Sequence, residues 1–185
     1  MSIGKCSIRV AVLLATITVP LALAQSAADA ASGNTTTTFT VNGGALAISV
    51  PASVALGSGN PGASISAQLG AVTVTDTRAL LTATWTTTVT TSSFTTGGAT
   101  TPETIPITAI SYWSGAATST TGSGTFTPGQ ANAGAAAVLS TGRTAFALTG
   151  GVGNNTASWN PTIVIAVPAA AVNGTYTGTI THSVA

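Results

Sequence analysis

Charge is almost missing from this chain. Its 185 residues hold four Lys or Arg, three Asp or Glu and one His. Two of the basic residues, Lys5 and Arg9, precede an apolar run over 10–22, and Ala22-Leu23-Ala24 follows it. A basic start, a short apolar stretch and small residues read as a secretory signal peptide over 1–24, cleaved after Ala24 or, at Ala28-Asp29-Ala30, after Ala30. Beyond either cut the strong charges are Asp76, Arg78, Glu103 and Arg143, with Asp29 added by the earlier cut. The one cysteine, Cys6, leaves with the signal, which excludes a disulfide scaffold. Long apolar runs are missing too. None beyond the signal approaches the ~20 residues of a membrane span, so no span is expected in the mature form. Without clustered Lys and Arg the chain is a poor partner for nucleic acid or an anionic surface. With one His and no mature Cys it cannot fill a zinc site, and no Asp-rich loop suggests calcium. No metal and no cofactor are expected.

What remains is roughly 155 to 160 residues, enough for one domain with its own core. Threonine makes up about a fifth of the chain, and Thr and Val favour the pleated surface of a strand. Several runs alternate. Leu46, Ile48 and Val50 share a face, as do Val72 and Val74, and Trp85, Thr87 and Val89. Residues 162–167 are almost continuously apolar and end at Pro168, as in a strand buried on both faces. In the last run Tyr176, Gly178, Ile180, His182 and Val184 oppose Thr175, Thr177, Thr179, Thr181 and Ser183. Asn42-Gly43-Gly44, Gly97-Gly98 and Asn173-Gly174 mark turns between such runs. These features predict an all-β chain: an antiparallel β-sandwich or Greek-key domain over 36–185, preceded by a flexible segment over 25–35. Residues 115–142, rich in Gly, Ala, Ser and Thr, read as one long exposed loop inserted between paired strands.

Few residues offer chemistry. His182 is the only histidine, and no Gly-x-Ser-x-Gly nucleophile elbow is present. His182 is in phase with Tyr176, Ile180 and Val184, which predicts a packed imidazole, and the chain reads as non-catalytic. Asp76 and Arg78, at i and i+2, face the same side of a strand, where they could pair with each other or one could satisfy backbone groups at a strand end or turn; either use is structural, and the alternative is a ligand-binding Arg78. Trp85 and Tyr176 are in phase with apolar neighbours and read as core. Tyr112, Trp113 and Trp159 stand beside predicted loops, where they are candidates for stacking on sugar rings as well as for core packing.

These placements carry a resemblance. Val74-Thr75-Asp76-Thr77-Arg78 leads into Trp85-Thr86-Thr87, and the chain closes on Tyr176-Thr177-Gly178-Thr179-Ile180-Thr181-His182-Ser183-Val184. This resembles the WxL domain of Gram-positive cell-surface proteins, in which a Trp-x-Leu strand is matched by a closing Tyr-x-x-x-Leu-Thr-Trp-x-Leu motif. Tyr176 and Thr181 match, and Ile180 and Val184 stand in for leucine. Thr87 occupies the first leucine position and His182 the second tryptophan position. The resemblance runs over about 36–184. It implies a secreted protein held non-covalently at the cell wall through peptidoglycan, or bound to other surface proteins, with His182 able to impose a pH step near neutrality. Two other functions fit the residues: a carbohydrate-binding module, and a surface-layer or fibre subunit assembled by strand pairing.

Overall fold

The computed structural model describes residues 32–185. The signal peptide and both cleavage points lie outside them. Residues 32–39 contain no helix or strand, and Phe39 is exposed.

From residue 40 onward the chain is all-β, and every strand pair is antiparallel. The strands are β1 (Leu46–Ser49), β2 (Ser64–Gln68), β3 (Val72–Asp76), β4 (Ala83–Thr91), β5 (Phe94–Thr95), β6 (Thr104–Ile105), β7 (Ile110–Trp113), β8 (Ala117–Thr121), β9 (Thr125–Pro128), β10 (Ala137–Val138), β11 (Arg143–Gly151), β12 (Asn155–Trp159), β13 (Thr162–Ala166) and β14 (Ile180–Val184). They form a first sheet in the order β1-β3-β12-β8, a second in the order β10-β7-β13-β2 and a third in the order β14-β4-β11-β9. β5 and β6 pair separately.

The second sheet continues the first around a corner. β2 runs into β3 through residues 69–71, β12 into β13 through 160–161, and β7 into β8 through 114–116, and the strand orders match across the break. Three strands therefore bend at one line. The Leu69 N–H donates to the Pro161 carbonyl at 2.8 Å, and the Gly70 N–H to Asn160 Oδ1 at 3.1 Å. Pro161 has no N–H to leave unpaired at the corner. Gly70 and Gly115 bend there with φ of 88° and 71°, a region open to glycine.

The third sheet packs on the first in a sandwich-like arrangement. Strict alternation supplies the filling. In β3 Val72, Val74 and Asp76 point in, and in β4 Ala83, Trp85, Thr87 and Val89 do so. In β11 the register with β4 shifts at Thr144/Phe146, a bulge that lets both Ala145 and Phe146 point inward. Phe146 stacks on Trp159 of the facing sheet, with ring centroids 4.8 Å apart and planes 20° apart.

Two expectations need correction. The long loop over 115–142 instead holds β8, β9, a 3-10 turn at Ala133–Ala135, and β10. β8, β9 and β10 are edge strands, each paired on one side. β8 is mostly exposed, so it needs no apolar alternation and looks like loop in sequence. The last alternating run is strand only over Ile180–Val184. Tyr176 lies before it, and Thr177 makes an isolated bridge to Thr95.

Candidate functional site

The two segments that carry the resemblance are neighbours in space. β14 pairs with β4, placing His182 opposite Val89 and Val184 opposite Thr87. Thr87 is fully buried, and its hydroxyl has no hydrogen-bond partner. Ile180, His182 and Val184 are half-buried on the inner side, and Thr181 and Ser183 are exposed. Tyr176 is half-buried. Its hydroxyl donates to the Val172 or Pro102 carbonyl (2.9 and 3.0 Å) and accepts from the Val172 N–H, so it ties down the run into β14.

Of the two structural uses open to Asp76 and Arg78, the fold shows the pair. Arg78 Nε donates to Oδ1 and Nη2 to Oδ2, both at 2.9 Å, and the Arg78 backbone N–H also donates to Oδ1. Asp76 is fully buried at the end of β3. The Arg78 hydrogen bonds outweigh burial and hold its carboxyl below the ordinary carboxylate range. The sequence reading missed the next link. Asn155 Nδ2 donates to Asp76 Oδ2 at 3.3 Å, and Trp85 Nε1 donates to Asn155 Oδ1 at 2.8 Å. A continuous polar chain thus runs from Arg78 through Asp76 and Asn155 to Trp85 and joins the first sheet to the third. Asn155 follows a Gly-Asn turn in sequence, and only its pairing opposite Asp76 shows its role.

The other two charges are also engaged within the fold. Glu103 accepts from the Thr100 hydroxyl and N–H in a capping box, and Arg143 Nε donates to the Val138 carbonyl at 3.0 Å. Among the described residues no three His, Cys, Asp or Glu side chains lie together. No helix of the described residues is long and apolar enough to cross a membrane.

Of the three aromatics proposed for sugar stacking, two are core. Tyr112 and Trp159 have no exposed surface. Both stand next to the corner, where neighbouring Gly, Asn and Pro suggest a loop in sequence although the corner lies inside the fold. Trp113 alternates with Tyr112 and is partly exposed on the outer face of the second sheet. Thr162 lies directly across from it, and Gln68 lies one strand further.

Trp159 Nε1 donates to the Tyr112 hydroxyl (3.4 Å), which stands 3.1 Å from His182 Nε2. Burial pushes the Tyr112 phenol well above its usual range and pushes the His182 imidazole down to about 4. The pH step expected near neutrality therefore moves into the acid range. The unfolded chain takes up a proton at His182 below its ordinary pKa of 6.5, whereas the folded chain waits until about 4. Between those values the unfolded state binds more protons, so stability falls on acidification and levels off below about 4. The loss is about 3 kcal/mol. Urea midpoints measured from pH 7 to 4 should fall in the wild type and much less in His182→Phe. Equal slopes would show that His182 is not the group responsible.

Two grooves flank the irregular segment after β1. One, of about 340 Å³, lies between residues 50–56 and 177–182, with Leu69, Val72 and Phe94 at its walls. The other, of about 640 Å³, lies between residues 54–61 and 171–178. Neither lining contains Asp, Glu, Lys or Arg.

Comparison with protein-family models, with curated proteins and with solved structures finds no match to this chain.

Proposed function

We propose that this chain is an exported, non-catalytic surface domain that associates with the cell wall by neutral contacts to peptidoglycan. The observation that supports this best is the state of its charges. Among the described residues Asp76 and Arg78 neutralise each other, and Glu103 and Arg143 are bonded within the fold. The surface that remains presents hydroxyls, amides and uncharged grooves, which suits the neutral, hydroxyl-rich glycan strands of peptidoglycan, not its charged stem peptides. The resemblance of the β4 and β14 segments to WxL motifs points the same way. On this reading Trp113 is the aromatic contact, with Gln68 in the same cross-strand row supplying amide hydrogen bonds.

Sedimentation of the purified mature protein with insoluble peptidoglycan tests this. Binding should be similar at low and high salt, because the described residues hold four charged side chains, two of them paired with each other, and offer little to screen. Trp113→Ala should weaken binding about tenfold, near 1.4 kcal/mol, with the fold intact. Undiminished binding by Trp113→Ala would remove the aromatic contact, and no binding by the wild type would remove the wall reading.

One observation favours a second reading, a fibre or surface-layer subunit. β8 pairs only with β12, and its sequence has no charge or proline to discourage another strand. Concentration-dependent polymers without glycan affinity are the result that selects it.

A further inference from the structure

The smaller groove has one polar group placed to choose a ligand. The inner-facing side chains of β14 carry His182 to the groove wall, beside Ile180 and across from Leu69, Val72 and Phe94. The hydrogen-bond chain from Trp159 fixes its tautomer. The Tyr112 oxygen accepts from Trp159 Nε1, and among the described residues the only acceptor within reach of the Tyr112 proton is His182 Nε2. A neutral imidazole that accepts at Nε2 carries its proton at Nδ1. Nδ1 has no protein partner among the described residues, and it is not among the side-chain atoms that are buried without a partner. It is therefore a donor left free at the groove.

The surroundings narrow what this donor can bind. The lining is uncharged, so a carboxylate or an ammonium finds no counter-charge there. The walls are mainly apolar, and the other polar side chains of the lining are the hydroxyl residues Ser53, Thr177 and Thr179. A fitting ligand is neutral, offers one strong carbonyl acceptor, carries a small apolar end and has hydroxyls beside it. An acetamido group on a sugar ring meets all four conditions. The groove volume, about 340 Å³, lies at the lower end of the range for small-ligand sites.

We infer that this groove binds the acetamido group of an N-acetylated amino-sugar polymer, with the carbonyl oxygen accepting from His182 Nδ1–H and the methyl group against Ile180, Leu69 and Phe94. The inference rests on the wall-binding reading for its choice of polymer. It adds a site on the opposite side of β7 from Trp113. Specificity arises because an unacetylated sugar supplies neither the acceptor nor the methyl and brings a positive charge into an uncharged groove.

The test is titration of the mature protein with the β-1,4-linked tetrasaccharide of N-acetylglucosamine and with its unacetylated counterpart, following the His182 ring nitrogens by NMR. The acetylated sugar should shift Nδ1, and the unacetylated one should bind at least tenfold more weakly. His182→Phe should lose at least tenfold in affinity. Val54→Trp, on the exposed rim, should block the groove and give the same loss without touching the core. Equal binding of the two sugars, or wild-type affinity in a folded Val54→Trp, overturns the inference. Sedimentation with whole wall separates it from the reading beneath it. Wall binding retained in both variants, with no tetrasaccharide affinity in the wild type, keeps the wall reading and removes this site. Tetrasaccharide binding by a protein that fails to sediment with wall keeps the site and removes the wall reading.

Discussion

Asp76→Ala is expected to cost about 3 to 5 kcal/mol of folding stability, the range for breaking a buried pair by removing one partner. Three donors lose their acceptor at once: the Arg78 guanidinium, the Arg78 backbone N–H and the Asn155 amide. Arg78 keeps one bond, from Nη2 to the Thr84 carbonyl, and its side chain is 28% exposed, so water recovers part of the loss there. Asn155 is almost fully buried and cannot recover its loss the same way. For a domain whose total stability is about 5 to 15 kcal/mol, this is a large fraction. Urea unfolding checks it, and a loss below about 1 kcal/mol would show that the pair is not coupled to the fold. Asp76→Asn should cost less, because it keeps an oxygen that can accept from Arg78. A cycle with Trp85→Phe tests whether the chain acts as a unit, since Trp85 reaches Asp76 only through Asn155.

Acid acts on this pair in its own window. The folded carboxyl titrates below its ordinary value of 3.8, so its stabilisation is complete above that value and is lost as pH falls through the folded pKa. The His182 loss is complete by about pH 4. The two groups therefore act in sequence, and a stability profile from pH 7 to 2 should fall in two stages. The upper stage should vanish in His182→Phe and the lower should shrink in Asp76→Ala, leaving the part that belongs to the Glu103 capping box.

Much of the sandwich was legible because β-strands with one buried face write their period into the sequence. Val72 and Val74, the Trp85-Thr87-Val89 face and the Ile180-His182-Val184 face are each found where alternation places them. A structural use of Asp76 and Arg78 was legible for the same reason, since i and i+2 share a face, but their pairing was one of two uses left open. Three things were not. β8 was hidden because an exposed edge strand needs no apolar side chains. The burial of Tyr112 and Trp159 was hidden because Ser114-Gly115 and Asn160-Pro161 look like surface turns, whereas they let adjacent strands bend together. Asn155 was hidden because a buried polar residue is identified by its partners, which lie 70 and 79 positions away in the chain.

The tryptophans turn that second point into a quantitative contrast. Trp159→Ala should cost about 3 to 5 kcal/mol, whereas Trp113→Ala, the same chemical change on a partly exposed side chain, should cost about 1 to 2 kcal/mol. Trp159 fills the space at the corner, stacks on Phe146 at 4.8 Å and donates to Tyr112. Its removal leaves a cavity lined by groups from two sheets and frees the Tyr112 hydroxyl that orients His182. Trp113 has partial access to water already and makes no side-chain hydrogen bond among the described residues. Acrylamide quenching gives an independent check. Trp113 should be the most accessible of the three tryptophans, with Trp85 and Trp159 protected, so Trp113→Ala should remove most of the quenchable emission. Equal stability losses in the two variants would place both indoles in the core and leave the outer face of the second sheet without an aromatic contact. The contrast also decides how wall binding is tested. A double substitution at positions 113 and 159 loses binding through unfolding whatever the ligand touches, so only the single change at Trp113 reports on the surface.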